Sequence, residues 1–140
     1  MRVLVIDDEP DVLLLCRVNL QYAGHEVIEA LDGERGLELA VSTEPDLIVL
    51  DVMLPRRDGL SVLRDLAEHP ATARTPVVLL TAKAQVEDRL RGWRAGCSEY
   101  VTKPFSPAAL ADLVVEVGRR NDDQHRARRD EAIASLAGVG

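Results

Sequence analysis

Short apolar runs alternate with longer segments of helical period along most of this chain. The runs fall at 2–6 (RVLVI), 25–30 (HEVIEA), 47–50 (LIVL), 76–80 (PVVLL) and 99–102 (EYVT). Most are nearly continuous in apolar character, as strands covered on both faces are. Between them, residues 10–22 set Leu13, Cys16 and Leu20 on one stripe, with Pro10 tolerated in a first helical turn. The same spacing predicts helices at about 34–43 (Leu37, Ala40, Val41), 59–68 (Val62, Leu63, Leu66, Ala67), 85–95 (Val86, Leu90, Trp93) and 107–119 (Leu110, Leu113, Val114, Val117). Strands alternating with helices predict an α/β fold, a doubly wound five-stranded parallel sheet in a single domain. Right-handed crossovers leave few ways to wind it, and the order 2-1-3-4-5 is the expectation.

In such a sheet, ligands bind outside the carboxyl ends of the strands. Strand one runs into Asp7-Asp8, strand three into Asp51, strand four into Thr81 and strand five into Lys103-Pro104. Strand two ends in Ala30-Leu31, without such chemistry, as suits an edge. Three carboxylates on one edge suit a hard cation held by oxygen, Mg²⁺ above all, with Mn²⁺ as a substitute. Taken singly, Asp8 before Glu9-Pro10 reads equally well as a helix N-cap, and so does Thr81. Taken together, the carboxylates, a hydroxyl and an ammonium are the equipment of phosphoryl transfer, in which positioning and charge neutralisation dominate. A carboxylate such as Asp51 can itself be the nucleophile. Of the 17 basic residues, all are Arg except Lys83 and Lys103, so an ammonium at 103 is a departure from the chain's own habit.

The segments VLVIDDEPDV, PDLIVLDVMLPRRDGL, TPVVLLTAK and GCSEYVTKPFSP resemble the motifs of the receiver domain of two-component response regulators, over about residues 1–119. That resemblance implies the flavodoxin-like receiver fold and makes Asp51 the acceptor of a phosphoryl group from a histidine kinase. It assigns Mg²⁺ to Asp8 and Asp51, with Asp7 helping through water and the Met53 carbonyl completing the set. Lys103, Thr81 and the backbone of Ala82 would meet the phosphoryl group. Tyr100 would turn inward as Thr81 moves, and Pro104 would follow a cis peptide bond. The face of helix four, strand five and helix five would report the state to a downstream protein. A sensor histidine kinase or phosphotransfer protein is the implied upstream partner.

Departures from the pattern bear on the output. GCSEY, residues 96–100, stands where many receivers read GADDY, and Leu113 occupies the position of an Arg used in a charged dimer contact by the winged-helix subfamily. Cys97 and Ser98 remove acidic character from the output face, and Leu113 weakens the expectation of a phosphorylation-linked homodimer of the usual kind. Trp93 reads as core packing in preference to a partner anchor, and Arg56-Arg57 as a solvated loop tip.

Composition narrows the classes further. The chain has 140 residues, 46% of them hydrophobic, and a net charge of −7, which disfavours nucleic acid as a direct partner. No apolar run approaches a membrane span, and MRVLVIDDEP is too acidic for a signal peptide, so a cytoplasmic protein is expected. Cys16 and Cys97 lack metal spacing and are expected as reduced thiols.

Residues 1–120 are assigned to the receiver and 121–140 to a charged C-terminal tail or helix extension. The ending SLAGVG favours a stand-alone protein over the N-terminal receiver of a longer DNA-binding regulator, the alternative reading. An Mg²⁺-dependent phosphatase with an aspartyl nucleophile would need Asp-x-Asp where residues 7–9 read Asp-Asp-Glu. A flavin-binding redox protein would need a Ser/Thr/Gly-rich loop where this chain is acidic. The expectation is therefore a switch that catalyses only its own phosphoryl transfer and dephosphorylation.

Overall fold

The computed structural model describes residues 1–138. Five strands alternate with five helices: β1 (Arg2–Ile6), α1 (Pro10–Tyr22), β2 (Glu26–Ala30), α2 (Gly33–Thr43), β3 (Leu47–Leu50), α3 (Gly59–Glu68), β4 (Val77–Thr81), α4 (Val86–Arg94), β5 (Glu99–Thr102) and α5 (Pro107–Gly118). A sixth helix, α6 (Asp122–Leu136), follows. All strand pairs are parallel and the order is β2-β1-β3-β4-β5, as the pattern predicts.

The strands are apolar at successive positions because both faces are covered. Leu4, Ile6, Ile48, Leu50, Val77 and Leu79 face one core together with Val62, Leu63 and Leu66 of α3. Val3, Val5, Leu47, Val49, Val78 and Leu80 face the other, against Leu13, Cys16 and Leu20 of α1 and Leu110, Val114 and Val117 of α5. Side chains that alternate across each strand thus fill two separate cores. Burying each such aliphatic side chain contributes roughly 1.5–3 kcal/mol before chain entropy is counted.

Trp93 lies in the first core and is buried, as expected of packing. The charged segment after residue 120 forms α6, a helix separate from α5. Its start is fixed by a capping box in which Asn121 Oδ1 accepts from the Gln124 N–H (2.8 Å) and Gln124 Oε1 from the Asn121 N–H (2.9 Å). α6 turns back onto α4, burying Ala132 and resting Ile133 and Leu136 on the first core.

The sheet also separates the two cysteines, since Cys16 belongs to the second core and Cys97 to the first. Both are free thiols, and burial pushes Cys16 up to about 12 and Cys97 well above the ordinary thiol range. The native protein is therefore expected to resist a thiol-specific alkylating reagent and to take up two labels only on denaturation. Mass spectrometry reads this directly, and rapid labelling of either thiol in the folded protein would contradict the packing.

Candidate functional site

Strand register brings the acidic residues together. Ile6 lies opposite Leu50, so Asp7 and Asp51 leave adjacent strands side by side. Asp7 is 1% exposed and Asp51 2%, whereas Asp8 is exposed. One carboxylate oxygen from each of Asp7, Asp8 and Asp51 lies within 4.8 Å of the others. Two carboxylates this buried and this close repel unless a cation stands between them.

Lys103 supplies that cation from the end of β5. Its Nζ donates to Asp51 Oδ2 (2.9 Å) and Glu9 Oε1 (2.8 Å), and lies 2.9 Å from Asp7 Oδ2 outside hydrogen-bonding alignment. Burial alone would lower the Lys103 pKa. Its hydrogen bonds to Glu9 and Asp51 and the adjacent Asp7 carboxylate outweigh that effect and hold it above the ordinary lysine value. Burial raises the Asp7 pKa, and the Asp51 charge adds to the rise, against the opposing pull of the Glu9 N–H and Lys103. Glu9 is thus a member of this charge cluster. Sequence reasoning gave it no role, although its place in the acidic run was the available signal.

The backbone completes the cradle. The Glu9 N–H donates to Asp7 Oδ1 (2.9 Å) and the Met53 N–H to Asp51 Oδ1 (3.0 Å), so each buried carboxylate keeps one oxygen on the main chain. Asp8 does not cap α1, whose N-cap is Glu9 without a side-chain bond. Thr81 does not cap α4, whose N-cap is Gln85. Thr81 is fully buried, and its Oγ1 accepts from the Lys83 N–H (3.3 Å). Ala82 follows it in the exposed β4–α4 loop. Tyr100 is half-buried and its hydroxyl donates to the Lys83 carbonyl (2.7 Å). The Lys103–Pro104 peptide bond is cis.

Arg57 departs from the expected solvated tip. It folds down onto α3, bonding Ser61 Oγ (2.7 Å) and pairing with Asp65 and Glu34. Arg56 beside it is exposed, with a left-handed φ of 67°.

The donor set fits a hard divalent cation. Asp7 Oδ2 is buried without a hydrogen-bond donor, Asp8 projects nearby without a capping duty, and all candidate donors are oxygens. The site can therefore hold a metal with two or three carboxylates, while the ammonium and hydroxyl remain for an anionic group.

Comparison with known proteins agrees with this geometry. The family description "Response regulator receiver domain" matches residues 3–115, and the chain belongs to that family. It is 41% identical over 132 residues to the DNA-binding dual master transcriptional regulator RpaA of a Synechocystis strain, covering 94% of this chain and 55% of that protein. It is also 41% identical over 121 residues to the alkaline phosphatase synthesis transcriptional regulatory protein PhoP of Bacillus subtilis, covering 86% and 50%. The chain thus spans about half the length of these curated relatives. The solved receiver domain of the Francisella response regulator 1452 superposes with a TM-score of 0.80 at 33% identity, covering 85% of this chain and 97% of that one. Among the described residues, no helix is long and apolar enough to cross a membrane.

One glycine governs how tightly the site closes. A Cβ on Gly59, the first residue of α3, would stand 2.6 Å from the Val52 Cα and closer still to the Asp51 carbonyl oxygen. Gly59→Ala is therefore expected to push the loop after Asp51 outward and to cost roughly 1–3 kcal/mol, as overpacking does. Urea unfolding checks the loss, and an unchanged midpoint would show that the loop yields without strain.

Proposed function

We propose that Asp51 is the phosphoacceptor and that the protein is a phosphorylation-driven switch. The observation that carries this reading is the buried Asp51 at the centre of the carboxyl edge, with Lys103 Nζ at 2.9 Å and Asp7 and Asp8 around it. In the transfer step, an Asp51 carboxylate oxygen attacks the phosphorus of a phosphohistidine on a sensor kinase or phosphotransfer protein. The P–N bond breaks, the imidazole leaves with its electron pair, and an aspartyl phosphate remains. Lys103 keeps an ammonium beside the phosphoryl oxygens. Thr81 accepts from Lys83 and so has its hydroxyl hydrogen available to donate. The exposed β4–α4 loop at Ala82 gives the group a backbone neighbour.

Asp7, Asp8 and Asp51 would hold Mg²⁺, with the Met53 carbonyl as a further ligand, and the ion when bound would neutralise phosphoryl charge. Leu14, Leu15 and Val18 stand exposed as one apolar stripe on α1, the helix that starts at the acidic run. This stripe supports docking of the phosphodonor protein over the site. Two buried free thiols suit a reducing, cytoplasmic setting. The curated relatives are named as transcriptional regulators and are about twice the length matched here. That favours, as a second reading, a receiver working within a longer DNA-binding regulator.

Incubation with Mg²⁺ and acetyl phosphate is expected to add one phosphoryl group to the intact mass. Asp51→Asn or EDTA is expected to abolish the gain. Failure under conditions that phosphorylate an established receiver would overturn the assignment. A second expectation isolates the metal. Asp8 is exposed and caps nothing, so Asp8→Asn should leave the melting temperature in EDTA nearly unchanged while removing the rise that Mg²⁺ produces in the parent protein. A Mg²⁺-dependent rise that survives in the variant would move the ion elsewhere.

A further inference from the structure

The seat of α6 is built from residues that lie one contact beyond the phosphoacceptor site. Thr81 and Tyr100 hold opposite ends of the same residue, Thr81 Oγ1 taking the Lys83 N–H and the Tyr100 hydroxyl the Lys83 carbonyl. The Tyr100 ring packs on α4 at Gly92, where a Cβ would come within 2.8 Å of it, and the Arg89 guanidinium sits 5.9 Å from its centroid. The ring also lines a cleft of about 200 Å³, closed by Trp93 of α4 and by Arg128, Ala132 and Leu136 of α6. Tyr100 therefore touches the Lys83 loop with its hydroxyl and borders the α6 cleft with its ring.

α6 is held there by a broad seam against α4 and by polar clamps, among them Arg129, which donates to the Gly96 carbonyl (3.4 Å). Glu99, the residue before Tyr100, receives Arg128 through two bonds (2.9 and 3.2 Å) and Arg120 through one (2.9 Å). The Arg128 guanidinium meanwhile lies 5.0 Å from the Trp93 ring centroid, joining β5 and α4 to α6. On α6 itself only Ala132 is buried, with Ile133 and Leu136 partly so. A helix of 15 residues with so little buried apolar surface is marginal once undocked.

We propose that α6 is an intramolecular latch over the α4–β5 surface, docked while Asp51 is unmodified and loosened when Asp51 carries a phosphoryl group. This rests on the phosphoacceptor reading above. A phosphoryl group that draws the Thr81 hydroxyl toward Asp51 takes it from the Lys83 N–H. The Lys83 carbonyl then shifts against Tyr100, and the cleft wall that α6 packs on moves with the ring. Loosening exposes Trp93 and frees Glu99, an aromatic and an acid that the resting protein keeps covered. Linkage is reciprocal, so weakening the latch must also favour the phosphoryl-bound state.

Hydrogen exchange on the full chain tests the latch, with intact mass read on the same samples. Phosphorylation with acetyl phosphate and Mg²⁺ is expected to speed amide exchange in residues 122–136 by roughly 5-fold or more, with no change in Asp51→Asn. Phosphoryl gain with unchanged α6 exchange would overturn the latch and leave the phosphoacceptor reading standing, whereas absence of any gain would overturn both. Arg128→Ala tests the reciprocal direction. It should speed α6 exchange in the unmodified chain and tighten binding of the phosphoryl mimic beryllofluoride by a similar factor, followed by Trp93 fluorescence. Faster α6 exchange with unchanged beryllofluoride affinity would show that docking and the site are not coupled.

Discussion

The Lys103 ammonium, set among Asp7, Asp51 and Glu9, is the contact on which the rest of the site depends. Two carboxylates almost fully withdrawn from water and set side by side repel each other. Lys103 offsets that repulsion, at the cost of burying an ammonium that is itself desolvated. The arrangement is therefore tense. Three acids share one cation, and Asp7 keeps an oxygen with no aligned donor. A site in this condition gains from any further positive charge, which makes a divalent ion a natural companion.

The sheet makes that contact from residues far apart in sequence. Parallel register sets Asp7 beside Asp51, and the pairing of Thr81 with Thr102 brings Lys103 to the same edge. The strand ends were legible in the sequence because continuous apolar runs stop abruptly at polar residues, and a doubly wound sheet gathers such stops in one place. Asp7, Asp8, Asp51, Thr81 and Lys103 could be selected on that ground alone. Partnerships were less legible. Glu9 belongs to the cluster only because the backbone after β1 turns it toward Lys103, and Arg57 leaves solvent because Ser61 and Asp65, in the first two turns of α3, and Glu34 of α2 meet it. Neither follows from residue type or period.

α6 shows a different limit. Its segment is so rich in charge that hydrophobic periodicity offers little, since Ala132, Ile133 and Leu136 are all that it contributes to the core. The local signal was nevertheless present. Asn121 three residues before Gln124 is a reciprocal N-cap pattern, which marks a new helix start and argues against a mere continuation of α5. Its docking could not be read locally, because it depends on Glu99 and Trp93, which lie some thirty residues earlier.

Glu99 and Tyr100 are neighbours on β5, so their side chains leave the strand on opposite sides. Glu99 ties the strand to Arg120 and Arg128, and Tyr100 ties it to the Lys83 loop. The strand is short and flanked on only one side by another strand, which leaves its other side free to adjust. A displacement at Tyr100 is thus shared with Glu99 through one rigid peptide unit, with no further machinery. What limits the size of any response is how α6 is held. Its clamp is ionic and uneven in exposure, Arg128 being 36% exposed at the side chain whereas Glu99 and Arg120 are largely buried. A tightly buried helix at this position would resist a small displacement of one aromatic ring. One held largely by polar contacts can be shifted by it, and the charge-rich composition of α6, which hides the helix from simple pattern reading, is also what makes its grip polar.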